Sequence, residues 1–172
     1  MRGIRVREAV AADARPIGEL HIRAWQWAYR GQLPGTFLDH LSDAIDRREA
    51  NWTEVIGRPE ERTWVADRSG EVVGFAHTCP SRDADAAPGT AEVGLIYLDV
   101  SVVGTGVGRL LFAHAVDDLR RRGAKRATLW VLESNERARR FYDAAGWQTD
   151  GTTKVEQRPG FELDEIRYRI DF

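Results

Sequence analysis

Leu98-Asp99-Val100-Ser101-Val102-Val103-Gly104-Thr105-Gly106-Val107-Gly108-Arg109-Leu110-Leu111 sets three glycines at alternate positions between two apolar segments. The run before it, Ala91-Glu92-Val93-Gly94-Leu95-Ile96-Tyr97-Leu98, reads as a strand. After it, Val107, Leu110, Leu111, His114, Ala115 and Leu119 recur at helical spacing. A strand therefore feeds a tight loop, and the loop opens a helix. The first N–H groups of such a helix have no partner within it, and its dipole adds partial positive charge at the same end. Alternate glycines let an anion approach the main chain without interference from Cβ atoms. The dinucleotide fingerprint fails, because its third glycine falls where Arg109 stands. The nucleoside-triphosphate loop fails too, for want of a following lysine.

Working outward, Ile4 and Val6 alternate with Arg5 and Arg7 as a short strand. Asp13 stands at the N-cap of a helix with Pro16 in its first turn and Ile17, Leu20, Ala24 and Ala28 on one face. Trp25, Trp27 and Tyr29 crowd its end, either packing the core or walling an acceptor pocket, and Gly31 stops it. Leu33 to Thr36 reads as a turn, Phe37, Leu38 and Leu41 as a short helical piece, and Ser42 as the cap of a second helix through Ile45, Trp52 and Ile56. Thr63–Ala66 and Val72–Thr78 form a hairpin around the turn Asp67-Arg68-Ser69-Gly70-Glu71, with a glycine for positive φ. Pro80 to Thr90 is polar and reads as an exposed, mobile loop.

Beyond the glycine-entered helix, which ends at Arg120-Arg121-Arg122 and Gly123, Ala127–Leu132 is the most apolar strand. It is expected to be central and parallel to the Glu92 strand. Ser134 or Asn135 caps a last helix closed by Gly146, and a hairpin around Pro159-Gly160 ends the chain. Seven strands and four helices in this order predict one mixed α/β sheet in a single domain over residues 1–172.

Composition narrows the partners. A net charge of −2 gives no global electrostatic case for nucleic acid or a membrane surface. No apolar run reaches membrane-spanning length, and Met1 to Glu8 lacks the apolar core of a signal peptide, so a cytoplasmic protein is expected. Cys79 is the only cysteine, which excludes an internal disulfide and a cysteine-rich zinc site; no metal is expected.

A second motif lies in Asn135-Glu136-Arg137-Ala138-Arg139-Arg140-Phe141-Tyr142-Asp143-Ala144-Ala145-Gly146-Trp147. With the glycine loop before it, this order resembles the GCN5-related N-acetyltransferase (GNAT) family. The resemblance covers most of the chain. It implies a fold of about seven strands in a central mixed sheet flanked by about four helices, with acetyl-CoA as acyl donor and its diphosphate cradled by the loop.

Carried over by position, Leu98, Asp99 and Val100 match the strand end that bonds the pantetheine and acetyl carbonyl. Val103, Gly104, Thr105, Gly106, Val107, Gly108 and Arg109 match the cradle, Asn135 matches the residue that orients the cofactor arm, and Arg139 is among the arginines that add positive charge near the motifs for the cofactor's phosphates. The family usually has Gln or Arg where Val103 stands and often Pro where Val100 stands; valine offers no side-chain donor, so the main chain must do the holding. Tyr142 matches the phenol that protonates the departing thiolate; a phenol of pKa about 10 stays protonated at neutral pH. Glu92 matches a strand glutamate that takes the amine proton in some members. Trp25, Tyr29 and His77 are candidates for the acceptor side.

The resemblance implies an acetyl-CoA-dependent N-acetyltransferase that moves acetyl directly to a primary amine in a ternary complex. The alternative is a non-catalytic acyl-CoA-binding or sensing module of the same fold. The acceptor is a small-molecule or peptide amine, and a homodimer is among the assemblies that relatives form.

Overall fold

The computed structural model describes residues 3–172; Met1 and Arg2, on which part of the N-terminal reading rests, lie outside the described residues. Its strands are β1 (Ile4–Glu8), β2 (Arg62–Arg68), β3 (Glu71–Pro80), β4 (Thr90–Leu98), β5 (Arg126–Leu132), β6 (Gln148–Arg158) and β7 (Phe161–Asp171). Its helices are α1 (Ala14–Ala28), α2 (Ile45–Ile56), α3 (Val107–Arg121) and α4 (Glu136–Ala144). The strands hydrogen-bond in the order β1-β2-β3-β4-β5-β7-β6. Among the described pairings only β4 with β5 is parallel, and α3 is the crossover that a parallel pair requires. The mixed seven-stranded sheet with four helices is thus the expected one. By contacts the chain forms two compact units, one of residues up to Thr78 with Leu95–Ala115, the other of Cys79–Gly94 with Val116–Phe172.

In the first unit, β1 pairs antiparallel with β2 from Ile4↔Arg68 to Glu8↔Trp64. The β2–β3 turn places Ser69 and Gly70 at φ of 54° and 93°, the left-handed pair that matches strand twist in a two-residue hairpin. Ile17, Leu20 and Ala24, one stripe of α1, bury against Val65, Phe75 and Trp52. Each such large side chain contributes about 1.5–3 kcal/mol when removed from water. A second cluster joins Val107, Leu111 and Ala115 of α3 to Ala66, Val73 and Ala76. A Cβ on Gly74 would stand 2.7 Å from Leu98 Cδ2 and 3.3 Å from Tyr97 O, so a larger residue there would turn the Leu98 side chain and push the end of β4 by a few tenths of an ångström.

Three local expectations are corrected. Asp13 does precede α1, but its carboxylate does not cap it; it accepts the Val10 N–H at 2.8 Å and both Arg7 terminal nitrogens at 2.7 and 2.8 Å. Ser42 does not cap α2: it lies inside a 3₁₀ turn, His40–Ala44, and Ala44 holds the cap position. Gly35 and Thr36, expected as a turn, open a five-residue helical turn, Gly35–Asp39.

In the second unit, β4 and β5 pair over Thr90–Glu92 with Arg126–Thr128, and β7 follows β5 along its whole length. The β6–β7 hairpin turns at Gly160, and its register shifts between Thr149 and Thr153, where Gly151 has φ 82°. Past the end of α3, Gly123 takes φ 86° and Ala124 N–H returns to Leu119 O at 3.0 Å, closing the orphan carbonyls.

Candidate active site

The glycine loop is built from its own backbone. Asp99 accepts the Ser101 N–H at 3.0 Å and starts a 3₁₀ turn, Val100–Val102. The Ser101 amide holds the Asp99 carboxyl below the usual carboxylate range, with Arg23 adding to it at 3.4 Å. Val103 N–H returns to Val100 O, and Thr105 donates both its N–H and its hydroxyl to Val102 O, at 3.3 and 2.7 Å. Gly104 and Gly106 then adopt φ of 80° and 93°, a region closed to most side chains. Nothing stands within 4 Å of the Cβ that Gly104 lacks, so there the need is conformational and not steric.

Leu110 N–H makes the first bond of α3, to Gly106 O at 3.1 Å. The amides of Val107, Gly108 and Arg109 therefore have no acceptor inside the helix. Val107 is wholly buried and anchors the turn, while Arg109 is exposed beside it. The result is a set of N–H donors left over at a positive helix end, the arrangement that can hold a phosphate. Val103 brings no side-chain donor to it, and Val100 is exposed.

The aromatic residues of α1 take separate places. Trp25 Nε1 donates to the Tyr97 hydroxyl at 2.8 Å, and Tyr29 is buried with its ring 5.0 Å from that of Trp25. Trp27 instead faces solvent, 47% exposed. His21 lies among the rings of Trp25, Trp52, Phe75 and Tyr97, and neither of its ring nitrogens has a hydrogen-bond partner. Burial, aided by Arg48, pushes its pKa down to about 3, so the ring is neutral at physiological pH. His77 is buried against the edge of Trp52, with Nδ1 3.1 Å from Thr63 Oγ1 and Nε2 3.0 Å from Glu61 Oε2. Glu61 carried no signal in the sequence, being one carboxylate of an ordinary surface loop.

In the second unit, Glu92 is buried on β4, and Arg82 grips it twice. The Arg82 guanidinium Nη2 donates to Oε1, and the Arg82 backbone N–H donates to Oε2 at 3.2 Å. The segment expected to be mobile is pinned. Arg167 on β7 forks onto both oxygens of Asp85 at 2.7 and 2.8 Å and reaches Asp83 at 3.2 Å and Asp150 at 2.9 Å. Trp130 Nε1 donates to the other Asp83 oxygen at 2.9 Å. Three carboxylates hold the Arg167 guanidinium charged well above its ordinary range, Asp85 foremost.

Asn135 does cap α4, accepting Ala138 N–H at 3.1 Å. Arg139 turns back to Glu133 O at 3.0 Å and to the Tyr168 hydroxyl, which raises its pKa. Tyr142 is 7% exposed, its ring between those of Phe141 and Tyr168 at 5.4 and 5.9 Å. Among the described residues no group of three or more His, Cys, Asp or Glu could hold a metal, and no helix is long and apolar enough to cross a membrane.

Comparison with known proteins agrees with this architecture. The model of the acetyltransferase (GNAT) family matches residues 21–147. The probable N-acetyltransferase Rv2775 of Mycobacterium tuberculosis is 24% identical over 97% of this chain and 93% of its own length. The N-acetyltransferase YuaI of Bacillus subtilis is 30% identical, with 77% of this chain and 73% of that protein covered. Among solved structures, the PaiA N-acetyltransferase of Thermoplasma acidophilum, in complex with coenzyme A, aligns with a TM-score of 0.76 at 17% identity. The alignment covers 98% of this chain and 99% of that one. The sheet order and the glycine-entered helix are accordingly those of an acyltransferase. The chain belongs to the acetyltransferase (GNAT) family.

Proposed function

We propose that residues 1–172 act as one cytoplasmic catalytic domain that moves an acetyl group from acetyl-CoA to a primary amine, directly and in a ternary complex. The observation that carries this reading is the set of amides at Val107, Gly108 and Arg109, presented behind two left-handed glycines. These N–H groups would hold the diphosphate of coenzyme A, with Gly104 and Thr105 shaping the approach, Asn135 orienting the cofactor arm and Arg139 adding positive charge for the phosphates. The crystallised PaiA relative is a complex with coenzyme A, which supports the same ligand here. When bound, acetyl-CoA supplies a thioester already activated for attack.

The chain's own residues then manage protons. A lysine-like amine has a pKa of about 10.4, so at pH 7 only about one molecule in a few thousand is neutral. Glu92, a carboxylate buried on β4, accepts the proton that the amine must lose, directly or through water. As the new C–N bond forms and the C–S bond breaks, Tyr142 donates its phenolic proton to the departing sulfur, and solvent returns it. The backbone at Leu98, Asp99 and Val100 positions the acyl carbonyl. Trp25, Tyr29 and His77 lie on the acceptor side of the reaction.

Tyr142→Phe tests the assignment of the acid. Thiol release measured with an amine panel should show kcat reduced about 100-fold or more, with acetyl-CoA affinity changed less than threefold. An unchanged kcat removes Tyr142 from the chemistry.

A further inference from the structure

We propose that Arg82 occupies the binding position of the acceptor's ammonium group, and that the acceptor is an amine that carries no carboxylate. This inference rests on the assignment of Glu92 to the acceptor side. The Glu92 side chain is only 5% exposed, whereas that of Arg82 is 68% exposed. The guanidinium therefore enters from solvent along an open approach and ends on a buried oxygen, the path a free cation would take.

The pairing is divided in a way that permits exchange. Glu92 Oε2 is held by the Arg82 backbone N–H, and that backbone is fixed on both sides. Ser81 N–H bonds Thr90 O at 3.1 Å, and Arg167 and Trp130 hold Asp83. Oε1 is held by the side chain alone. The side chain can swing into water while the peptide stays in place.

A buried carboxylate left without its cation is strongly destabilised, so the exchange must be cation for cation. Around this corner four carboxylates, Glu92, Asp83, Asp85 and Asp150, stand against two guanidiniums, Arg82 and Arg167. Departure of Arg82 leaves Arg167 alone, bound by three of them. A second positive charge on the acceptor fits that surplus, and a carboxylate on it meets repulsion. Once the ammonium sits on Oε1, the proton it must shed already faces its acceptor, and Arg82 returns when the neutral amide leaves.

The test compares the wild type, Arg82→Gln, Arg82→Lys and the double variant Arg82→Gln with Glu92→Gln, using 1,4-diaminobutane and 4-aminobutanoate. In Arg82→Gln the KM for 1,4-diaminobutane in thiol release should fall about tenfold, with kcat moving less than KM, and 4-aminobutanoate should gain no such advantage. Arg82→Lys, which keeps the charge and guards against misfolding, should fall between. Without acetyl-CoA, 1,4-diaminobutane should raise the Tm of Arg82→Gln more than that of the wild type, and should not raise that of the double variant. A KM that is unchanged or higher in both single variants, with no diamine effect on Tm, overturns the inference. If the wild type releases thiol with no amine while the diamine still raises the Tm of Arg82→Gln, the transfer reaction falls and the cation position stands.

Discussion

A side chain added at position 106 measures how much the loop conformation matters. Gly106 has φ 93°, where an L side chain is strained. Gly106→Val should weaken acetyl-CoA binding at least tenfold, and the same backbone strain should lower Tm by a few degrees while the chain still folds. His21 makes a prediction in the opposite sense, on stability. Its folded pKa of about 3 lies below the ordinary histidine value of about 6.5, so only the unfolded chain takes up the proton between those limits. Stability is full above pH 6.5 and is lost as pH falls toward 3. Replacing the ring with Phe removes this loss, so the Tm advantage of His21→Phe over the wild type should widen between pH 7 and pH 5. The expected gain is about 2 kcal/mol at pH 5; a gap that does not change with pH contradicts the assignment. At this scale the sequence was most legible where a requirement is local. Glycines at 104 and 106 and the cap at Asn135 depend on neighbours within three residues. Glu92 was legible as a carboxylate on a strand but not as a buried one, because its partner Arg82 comes from a segment whose composition reads only as polar.

Among the elements, the turn from β1 into α1 is fastened by Arg7, which bonds Asp13 and, at 3.1 Å, Asp67. The Arg7 contact holds the Asp13 carboxyl below the usual range, and both side chains are largely buried. Asp13→Ala should therefore cost about 2–3 kcal/mol in urea denaturation; a cost under about 0.5 kcal/mol would mark the pair as a surface contact. The β3–β4 connection is held instead by Arg167. Arg167→Met should speed amide exchange at least tenfold over residues 82–86 and leave the β5–β7 ladder protected. Periodicity located all seven strands and the four helices because burial of one face recurs at a fixed spacing. It read a short helical piece at Phe37, Leu38 and Leu41 but not its continuation as the His40–Ala44 turn, which moved the start of α2 past Ser42. It also read residues 80–90 as free, since a clasp made by Arg167 some eighty residues later leaves no periodic trace.

For the molecule as a whole, net charge offered no electrostatic case for nucleic acid or a membrane surface and named no partner, and the two motifs in sequence order led to the family that comparison bears out. The acceptor was not legible because amine recognition depends on which long-range pairs are buried, such as Arg82 with Glu92 and His77 with Glu61. The central claim is that the amides opening α3 hold the diphosphate of acetyl-CoA. Isothermal titration of acetyl-CoA into the wild type and into Gly106→Val tests it most directly. The account predicts one site per chain in the wild type and an affinity at least tenfold weaker in the variant. Absence of binding heat in the wild type across several temperatures, or equal affinity in both proteins, would contradict it.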